Sequence, residues 1–249
     1  MIRLSVNVNK VATLRNSRGG REPRVLDAVE VCLSAGARGI TVHPRADQRH
    51  ITPADVRDIA SRLAPVRPGV EFNIEGDPRP DLIALVHEVR PEQCTIVPVA
   101  PGEITSQAGW TRSPQTERLA DVIAAMKAAG VRVSLFVDPD AEAIALAREL
   151  GADRVELYTE PFARAFEQGK QEAARSLAVY ADAARQAHAA GLGINAGHDL
   201  DLENLVQFRD LPHLEEVSIG HAIMSRALFV GLERVVREYL EILAPASAS

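Results

Sequence analysis

Short apolar runs alternate with longer amphipathic segments along the 249 residues of the chain. The short runs hold four to seven residues and are rich in β-branched side chains, as is typical of buried strands. Their pattern predicts eight strands: LSVNV (4–8), GITV (39–42), VEFNI (70–74), CTIV (94–97), VRVSLFV (131–137), RVELY (154–158), LGINA (192–196) and EVSIG (216–220).

The segments between these runs carry apolar residues at helical spacing among Ala, Leu, Glu and Arg. RVLDAVEVCLSAGA and TERLADVIAAMKAAG are two of them, and each ends in the small residues that helix C-caps favour. Eight strands alternating with helices predict an α/β fold, a (β/α)8 TIM barrel with extra helices. Residues 159–169, TEPFARAFEQG, are expected to form a short additional helix after the sixth strand.

One domain is predicted over residues 1–249, because no Gly-, Ser- or Pro-rich linker divides the chain. Residues 246–249 are expected to be a disordered tail. The alternative architecture is an open doubly wound sheet, which would place a GxGxxG motif after the first strand. The chain has NKVATLRNSRGG there, so the closed barrel is favoured.

Composition narrows the classes of function. With 46% hydrophobic and 25% charged residues, the chain is typical of globular proteins. No run reaches the roughly 18 apolar residues of a membrane span, and MIRLSVNVNK lacks the pattern of a secretory signal, so a cytoplasmic location is expected. A formal charge of -6 argues against nucleic-acid binding but allows a local basic pocket for an anionic small molecule. Cys32 and Cys94 show neither pairing nor metal-ligand spacing and are interpreted as reduced core residues.

Polar and charged residues follow almost every apolar run. Since the carboxyl ends of barrel strands converge on one face, these residues are candidates for a common site. The stretch ITVHPRADQRHIT (40–52) is the densest of them, with His43, Arg45 and His50 just past the second strand. The other candidates at strand ends are Asn7, Asn9, Glu75, Glu156, Asn195, His198, Gly220 and His221.

Each candidate also has a purely structural interpretation. Asn7 and Asn9, at the end of strand one, can cap a loop. Glu75, after strand three, can belong to a turn. Glu156 can be the interior partner of an arginine instead of a catalytic group. His198 can be a helix-entry residue, because Asp199 fits the N-cap of a helix beginning near Leu200.

Glycines mark the last two strand ends. NAGH (195–198) and SIGH (218–221) place small residues where backbone N–H groups can approach an anion, and the loops after strands seven and eight are the common phosphate site of such barrels. Arg15 and Arg18 stand in a predicted long loop after strand one, where they either cover a second anion or belong to a solvated surface. Phosphorylated small molecules are therefore the expected ligands.

Motifs of metal or nucleophile catalysis are not visible in the sequence, which has no HExxH, CxxC or GxSxG and no carboxylate-rich metal pattern. Lys10 is the only strand-end lysine for a Schiff base. General acid–base catalysis without a metal or an organic cofactor is the remaining hypothesis.

Taken together, the motifs resemble one known family. VNVNKVATLRNSRG, GITVHPRADQRHIT, FNIEG, QCTIVP, ITSQAGW, VSLFVDPD, INAGHDL and SIGHAI are similar, in order and spacing, to the pyridoxine 5'-phosphate synthases of deoxyxylulose-dependent vitamin B6 biosynthesis. The resemblance covers roughly residues 3–240. It implies a barrel assembled as a homo-octamer that condenses 1-deoxy-D-xylulose 5-phosphate with 3-amino-2-oxopropyl phosphate. The implied products are pyridoxine 5'-phosphate, phosphate and water.

The resemblance also implies roles for single residues. His43 and Glu75 match the family's proton acceptors, and His198 matches its proton donor. Glu156 matches the residue that stabilises a charged intermediate. The substrate contacts match Asn7, Arg18, Gly220 and His221 for the amino-ketone phosphate and Arg45, His50 and Thr105 for the sugar phosphate.

Two places depart from the family pattern. Asn9 and Lys10 stand where many members have Asp and His, and Asp199 stands where a glycine is frequent. An amide still donates and accepts hydrogen bonds, and an ammonium group still pairs with phosphate. Asn9, Lys10 and Asp199 are therefore retained as substrate-binding candidates.

Two rival functions stay open. An isomerase or aldolase acting on one sugar phosphate would need only the site after strands seven and eight, so the second cationic cluster of Arg45 and His50 argues against it. A catalytically silent barrel that binds phosphometabolites would not need four proton-transfer residues. For an enzyme, closure over the substrates is expected from the loop after strand one or from PVAPGEITSQAGW (98–110) after strand four.

Overall fold

The eight predicted strands close into a barrel. The computed structural model describes residues 2–99 and 108–245. Its parallel strands run in chain order, and β1 pairs with both β2 and β8, which closes the sheet. The predicted (β/α)8 fold is confirmed. The strands are β1 (Arg3–Asn7), β2 (Gly39–Val42), β3 (Glu71–Gly76), β4 (Gln93–Ile96), β5 (Arg132–Val137), β6 (Arg154–Tyr158), β7 (Gly193–Gly197) and β8 (Leu214–Ile219).

Helices surround the barrel and connect its strands. They are α1 (Asn9–Asn16), α2 (Val25–Ala35), α3 (Pro53–Leu63), α4 (Pro80–Val89), α5 (Leu119–Ala128), α6 (Ala141–Glu149), α7 (Glu160–Glu167), α8 (Lys170–Ala189), α9 (Leu205–Phe208), α10 (His221–Val230) and α11 (Leu232–Leu243). The additional helix predicted after the sixth strand is α7. In the described part of the chain, no helix combines the length and apolar character needed to cross a bilayer.

Local signals in the sequence explain where several helices begin and end. The Thr52 side chain accepts the backbone N–H of Asp55 while the Asp55 carboxylate accepts the N–H of Thr52, a reciprocal cap that starts α3. The Asp140 side chain caps α6 by accepting the backbone N–H of Ala143 at 2.8 Å. Gly36 ends α2 with φ of 105°, a conformation that glycine adopts at little energetic cost.

The segment after β1 differs from the prediction. A long loop is expected there, with Arg15 and Arg18 either covering an anion or on a solvated surface, but residues Asn9–Asn16 form α1. Arg15 lies on its last turn and donates to both carboxylate oxygens of Asp55, at 2.5 and 2.9 Å. Because this guanidinium neutralises a carboxylate that also caps α3, Arg15 serves the structure, and neither the anion contact nor the solvated surface describes it.

Side chains alternate along each strand between the outside and the inside of the barrel. Outward residues such as Val6 and Ile40 are fully buried against the helices, and each such side chain stabilises the fold by roughly 1.5–3 kcal/mol. Inward residues are polar: the hydroxyls of Ser5 and Thr41 lie 2.7 Å apart, and Asn73 donates to Thr41 at 3.3 Å. Branched apolar residues usually fill this space, so the interior of this barrel is unusually hydrophilic.

Ion pairs close the amino-terminal end of the barrel. Glu71 accepts hydrogen bonds from Arg3, at 2.5 Å, and from Arg132. Arg154 donates to Glu215 at 2.6 Å. Because the charges at this end neutralise one another, the groups available for chemistry lie at the opposite, carboxyl end.

The two cysteines are free and buried, as predicted. Burial raises the pKa of both Cys32 and Cys94 to about 12. Both thiols therefore stay protonated at neutral pH and belong to the core.

Candidate active site

A cavity of about 490 Å³ opens at the carboxyl ends of the strands. Most of the residues predicted for the site line it: Asn7, Asn9, Lys10, His43, Arg45, His50, Glu75, Glu156, His198, Asp199, Gly220 and His221. Arg18 is exposed on the turn that follows α1 and is not part of this lining. Thr105 lies outside the described residues.

Two carboxylates, Glu75 and Glu156, form the floor of the cavity. Glu75 stands near the end of β3 and accepts long hydrogen bonds from the Asn7 amide and the Ser218 hydroxyl, each at 3.4 Å. Glu156 is buried in β6 and accepts a bond from the Thr95 hydroxyl at 3.3 Å. Burial raises the pKa of both groups, and the negative charge of Glu75 further raises the pKa of Glu156. The site thus holds two carboxyl groups that can exchange protons near neutral pH.

His43 lies directly past β2 and is buried. Burial, together with the neighbouring His50 and Arg45, lowers the pKa of His43 to about 3, so its imidazole is neutral. Its Nε2 has no hydrogen-bond partner among the described residues. Asn9 fixes the backbone here, because its side-chain oxygen accepts the N–H of His43 at 2.9 Å. His43 is therefore a neutral imidazole whose Nε2 is available to hydrogen-bond with a ligand.

His198 stands at the end of β7 in an unusual backbone conformation. Both His198 and Asp199 have positive φ, 87° and 57°. The imidazole lies against the ring of Tyr158, with 5.2 Å between centroids, and its Nδ1 is 3.3 Å from the Asp199 carboxylate. That hydrogen bond lowers the pKa of Asp199. The Asp199 carboxylate therefore stays ionised beside the ring and helps to fix its orientation.

The N-cap interpretation of Asp199 is wrong. No helix begins near Leu200; residues 202–204 form a turn and α9 starts only at Leu205. Within that turn, Asp201 accepts the backbone N–H of Asn204 at 2.8 Å. The side chain of Asp199 instead faces His198 and the cavity.

One end of the cavity is formed by the start of α10. Gly220 is its N-cap, His221 its first residue, and its first turn carries no acidic side chain. The N-terminus of a ten-residue helix attracts anions through its free N–H groups and its dipole. A Cβ on Gly220 would lie only 2.9 Å from the Cβ of Asn7, so glycine is needed here for close packing. This end can hold a phosphate.

A second anion-binding end lies beside β2, where Lys10, Arg45 and His50 line the cavity. Arg45 is buried while Lys10 is exposed at the edge. Burial, with the positive charges of Arg45 and Lys10, lowers the pKa of His50 to about 4. His50 is therefore a neutral hydrogen-bonding group, and the two longer side chains supply the positive charge.

Several lining residues were not predicted, among them Thr95, Phe136 and Ser218. Each is an inward-facing residue within a strand, whereas the prediction considered mainly the residues that follow the apolar runs. The two-residue period of a strand was the available signal, because it places Ser134 and Phe136 of VSLFV on the same face. Asn195 lies deeper in the barrel, where it accepts a hydrogen bond from Arg154 at 2.8 Å.

Solved structures share this fold at low sequence identity. A phosphoribosyl anthranilate isomerase from Thermus thermophilus matches with a TM-score of 0.59 and 16% identity, over 97% of this chain and 98% of that one. A phosphoribosylanthranilate isomerase from Thermotoga maritima matches with a TM-score of 0.58 and 13% identity, over 98% of each chain. At such identities the similarity shows the fold alone.

The fold and the cavity together define a (β/α)8-barrel enzyme equipped for acid–base chemistry on anionic small molecules. The family model of the pyridoxal phosphate biosynthesis protein PdxJ matches residues 4–245, and the chain belongs to that family. A pyridoxine 5'-phosphate synthase of Christiangramia forsetii is 52% identical over 98% of this chain and 100% of its own length. One from Xanthomonas oryzae pv. oryzae is 54% identical over 97% of this chain and 96% of its own length. The predicted family and enzyme class are confirmed.

Proposed function

We propose that this cavity condenses 1-deoxy-D-xylulose 5-phosphate with 3-amino-2-oxopropyl phosphate by general acid–base catalysis. The products are pyridoxine 5'-phosphate, phosphate and water. The observation that carries the proposal is the cavity itself, in which two buried carboxyl groups of raised pKa lie with a buried imidazole of lowered pKa. Imine formation, dehydration, phosphate loss and ring closure all require proton transfers around carbonyl carbons, which such groups perform.

Glu75 and His43 are the proposed proton acceptors. A carboxylate whose pKa lies near neutrality is a stronger base than an exposed one and still ionises at working pH. The Nε2 of His43 has no partner among the described residues, so a substrate can contact this nitrogen without displacing another hydrogen bond. The two groups line the same cavity from adjacent strands.

Glu156 and His198 are assigned to the charged stages of the reaction. A protonated imine carries a positive charge, which favours ionisation of the buried Glu156 and is stabilised by it in return. His198 is the proposed proton donor to leaving oxygen atoms. Its ring is only partly exposed and lines the cavity, and the Asp199 carboxylate lies 3.3 Å from its Nδ1.

The two phosphates are assigned to the two anion-binding ends. Asn7, Gly220 and His221 are proposed to hold the amino-ketone phosphate at the start of α10. For the sugar phosphate we propose Arg45 and His50, assisted by Lys10, Asn9 and the backbone N–H of Asp199. Arg18 and Thr105 stay predictions from the family resemblance.

A two-substrate assay tests the proposal. The purified protein is incubated with both phosphates, and pyridoxine 5'-phosphate is followed by absorbance and identified by mass. Product is expected only when both substrates are present, and Glu75→Gln is expected to lower turnover about a hundredfold or more. Glu203→Gln, an exposed carboxylate in the turn after β7, is the matched control and should keep wild-type activity. Binding of both phosphates without product would contradict the proposal and favour an isomerase or aldolase acting on one sugar phosphate.

We also propose that the enzyme is a cytoplasmic homo-oligomer, with the octamer implied by the family resemblance. Leu228 and Phe229, at the end of α10, are 74% and 88% exposed, and adjacent apolar side chains of this size support a subunit contact. Light scattering on the purified protein gives the mass of the assembly. A monomeric mass of 26.9 kDa would contradict the proposal.

A further inference from the structure

The turn that carries His198 is held in an unfavourable conformation. His198 and Asp199 are consecutive non-glycine residues with φ of 87° and 57°. Backbone of this kind is strained for residues with a side chain and persists only where neighbouring groups hold it in place. The groups that hold this turn therefore determine where the imidazole of His198 lies.

Thr159 contacts this turn from the neighbouring strand. It is the first residue after β6, is fully buried, and its backbone N–H donates to the carbonyl oxygen of Gly197 at 3.0 Å. Its hydroxyl is 2.8 Å from that same oxygen and also within hydrogen-bond distance of the carbonyl oxygen of His198. A hydroxyl has a single hydrogen. The hydroxyl therefore donates to one of these two carbonyl oxygens or shares its hydrogen between them, and in either case it ties the turn at His198 to the end of β6.

The hydroxyl of Thr159 is not used to start its own helix. Thr159 is the N-cap of α7, a position where threonine commonly accepts a backbone N–H, yet no side-chain cap bond is formed there within the described residues. Asn204 supports the same turn from its other side. Its buried side chain donates to the carbonyl oxygen of Asp199 at 3.0 Å. Each strained residue thus has its carbonyl held by a buried side chain.

We propose that Thr159 is a positioning residue for His198: its hydroxyl holds the left-handed turn that keeps the imidazole against Tyr158 and facing the cavity. The catalytic consequence rests on the proposed function, in which His198 donates protons. The structural consequence, which is the position of the imidazole ring, does not rest on the proposed function. The two parts can therefore be tested separately.

Thr159→Val replaces the hydroxyl by a methyl group of similar size, and Thr159→Ser keeps the hydroxyl. In a crystal structure of Thr159→Val we expect φ of His198 to leave the left-handed region and the imidazole to move by about 1 Å, a displacement that can lower a rate by about a hundredfold. We accordingly expect kcat to fall between about tenfold and a hundredfold while KM for both substrates changes by less than about twofold. Thr159→Ser is expected to restore both the turn and kcat. If the valine methyl prevents folding, Thr159→Ala removes the hydroxyl without adding bulk.

The outcomes separate the two parts of the argument. An unchanged His198 turn in Thr159→Val overturns the proposal whatever the kinetics show. A displaced His198 ring with unchanged kcat in Thr159→Val also overturns the proposal, provided that His198→Asn is inactive. If His198→Asn is itself fully active, the role of His198 in the proposed function fails, while a displaced ring still supports the positioning contact. Loss of kcat in Thr159→Val with recovery in Thr159→Ser supports both.

Discussion

Replacement of Glu156 by glutamine is expected to stabilise the protein and to inactivate it. Glu156 is 4% exposed and faces the second carboxylate of the cavity floor, Glu75. Burial, helped by the charge of Glu75, raises the pKa of Glu156 from 4.5 to about 8. Ionisation of this group is therefore much less favourable in the folded protein than in the unfolded chain. Glutamine has nearly the same shape and carries no charge at any pH.

The sign and the size of the effect follow from proton linkage. Because the folded-state pKa is the higher one, the contribution of Glu156 to stability is fully present below pH 4.5 and is lost as the pH rises towards about 8. One pKa unit corresponds to about 1.4 kcal/mol, so the loss at mildly alkaline pH is on the order of a few kcal/mol. In a chain of this length 1 kcal/mol shifts the melting temperature by roughly 2–4 °C. We expect Glu156→Gln to melt roughly 5 °C or more above the wild type near pH 8, and at the wild-type temperature near pH 4.5.

Thermal unfolding followed by circular dichroism between about pH 4.5 and pH 9 measures this difference. Glu203→Gln, which changes an exposed carboxylate, is the control and should follow the wild type throughout. Turnover of Glu156→Gln is expected to fall about a hundredfold or more, because an amide cannot carry the negative charge that stabilises a cationic intermediate. Equal melting temperatures at all pH values, or a stabilisation that does not grow with pH, would refute the reasoning.

Three further predictions concern the base and the two anion-binding ends. Glu75 must be ionised to accept a proton and burial raises its pKa to about 7, so kcat/KM is expected to fall as the pH drops below neutrality; a profile flat down to about pH 5 would contradict this role. Lys10→Ala is expected to raise KM for the sugar phosphate about tenfold and to leave KM for the amino ketone unchanged, because Lys10 lies only at the anion-binding end beside β2. Initial rates with each substrate varied in turn measure the two KM values, and an equal change in both would contradict the assignment. Gly220→Ala would place a Cβ 2.9 Å from Asn7, so we expect a loss of roughly 1–3 kcal/mol in the free energy of unfolding and a higher KM for the amino ketone. Its control is Gly20→Ala, where an added Cβ meets nothing within 4 Å; a Gly220→Ala variant as stable as this control would show that the packing argument is wrong.

The sequence by itself determined the order of the strands and most of the cavity lining. Both follow from short-range patterns: apolar runs of strand length recur eight times, and polar residues such as His43 and His198 stand where those runs end. In a closed parallel barrel all carboxyl ends meet on one face. Knowledge of the fold class was therefore enough to place these residues in a common site.

The tertiary structure alone decided which side chains meet and what each one does. From the sequence, Arg15 could cover an anion or belong to a solvated surface, but it pairs with Asp55, 40 positions away along the chain. The hydrogen bond between Ser218 and Glu75 joins residues 143 positions apart. The carbonyl oxygen of His198 is within hydrogen-bond distance of the hydroxyl of Thr159, which lies 39 positions away at the end of another strand. Hydrophobic periodicity is a local property of the chain, whereas burial, pKa and side-chain partners arise only when distant segments close the barrel.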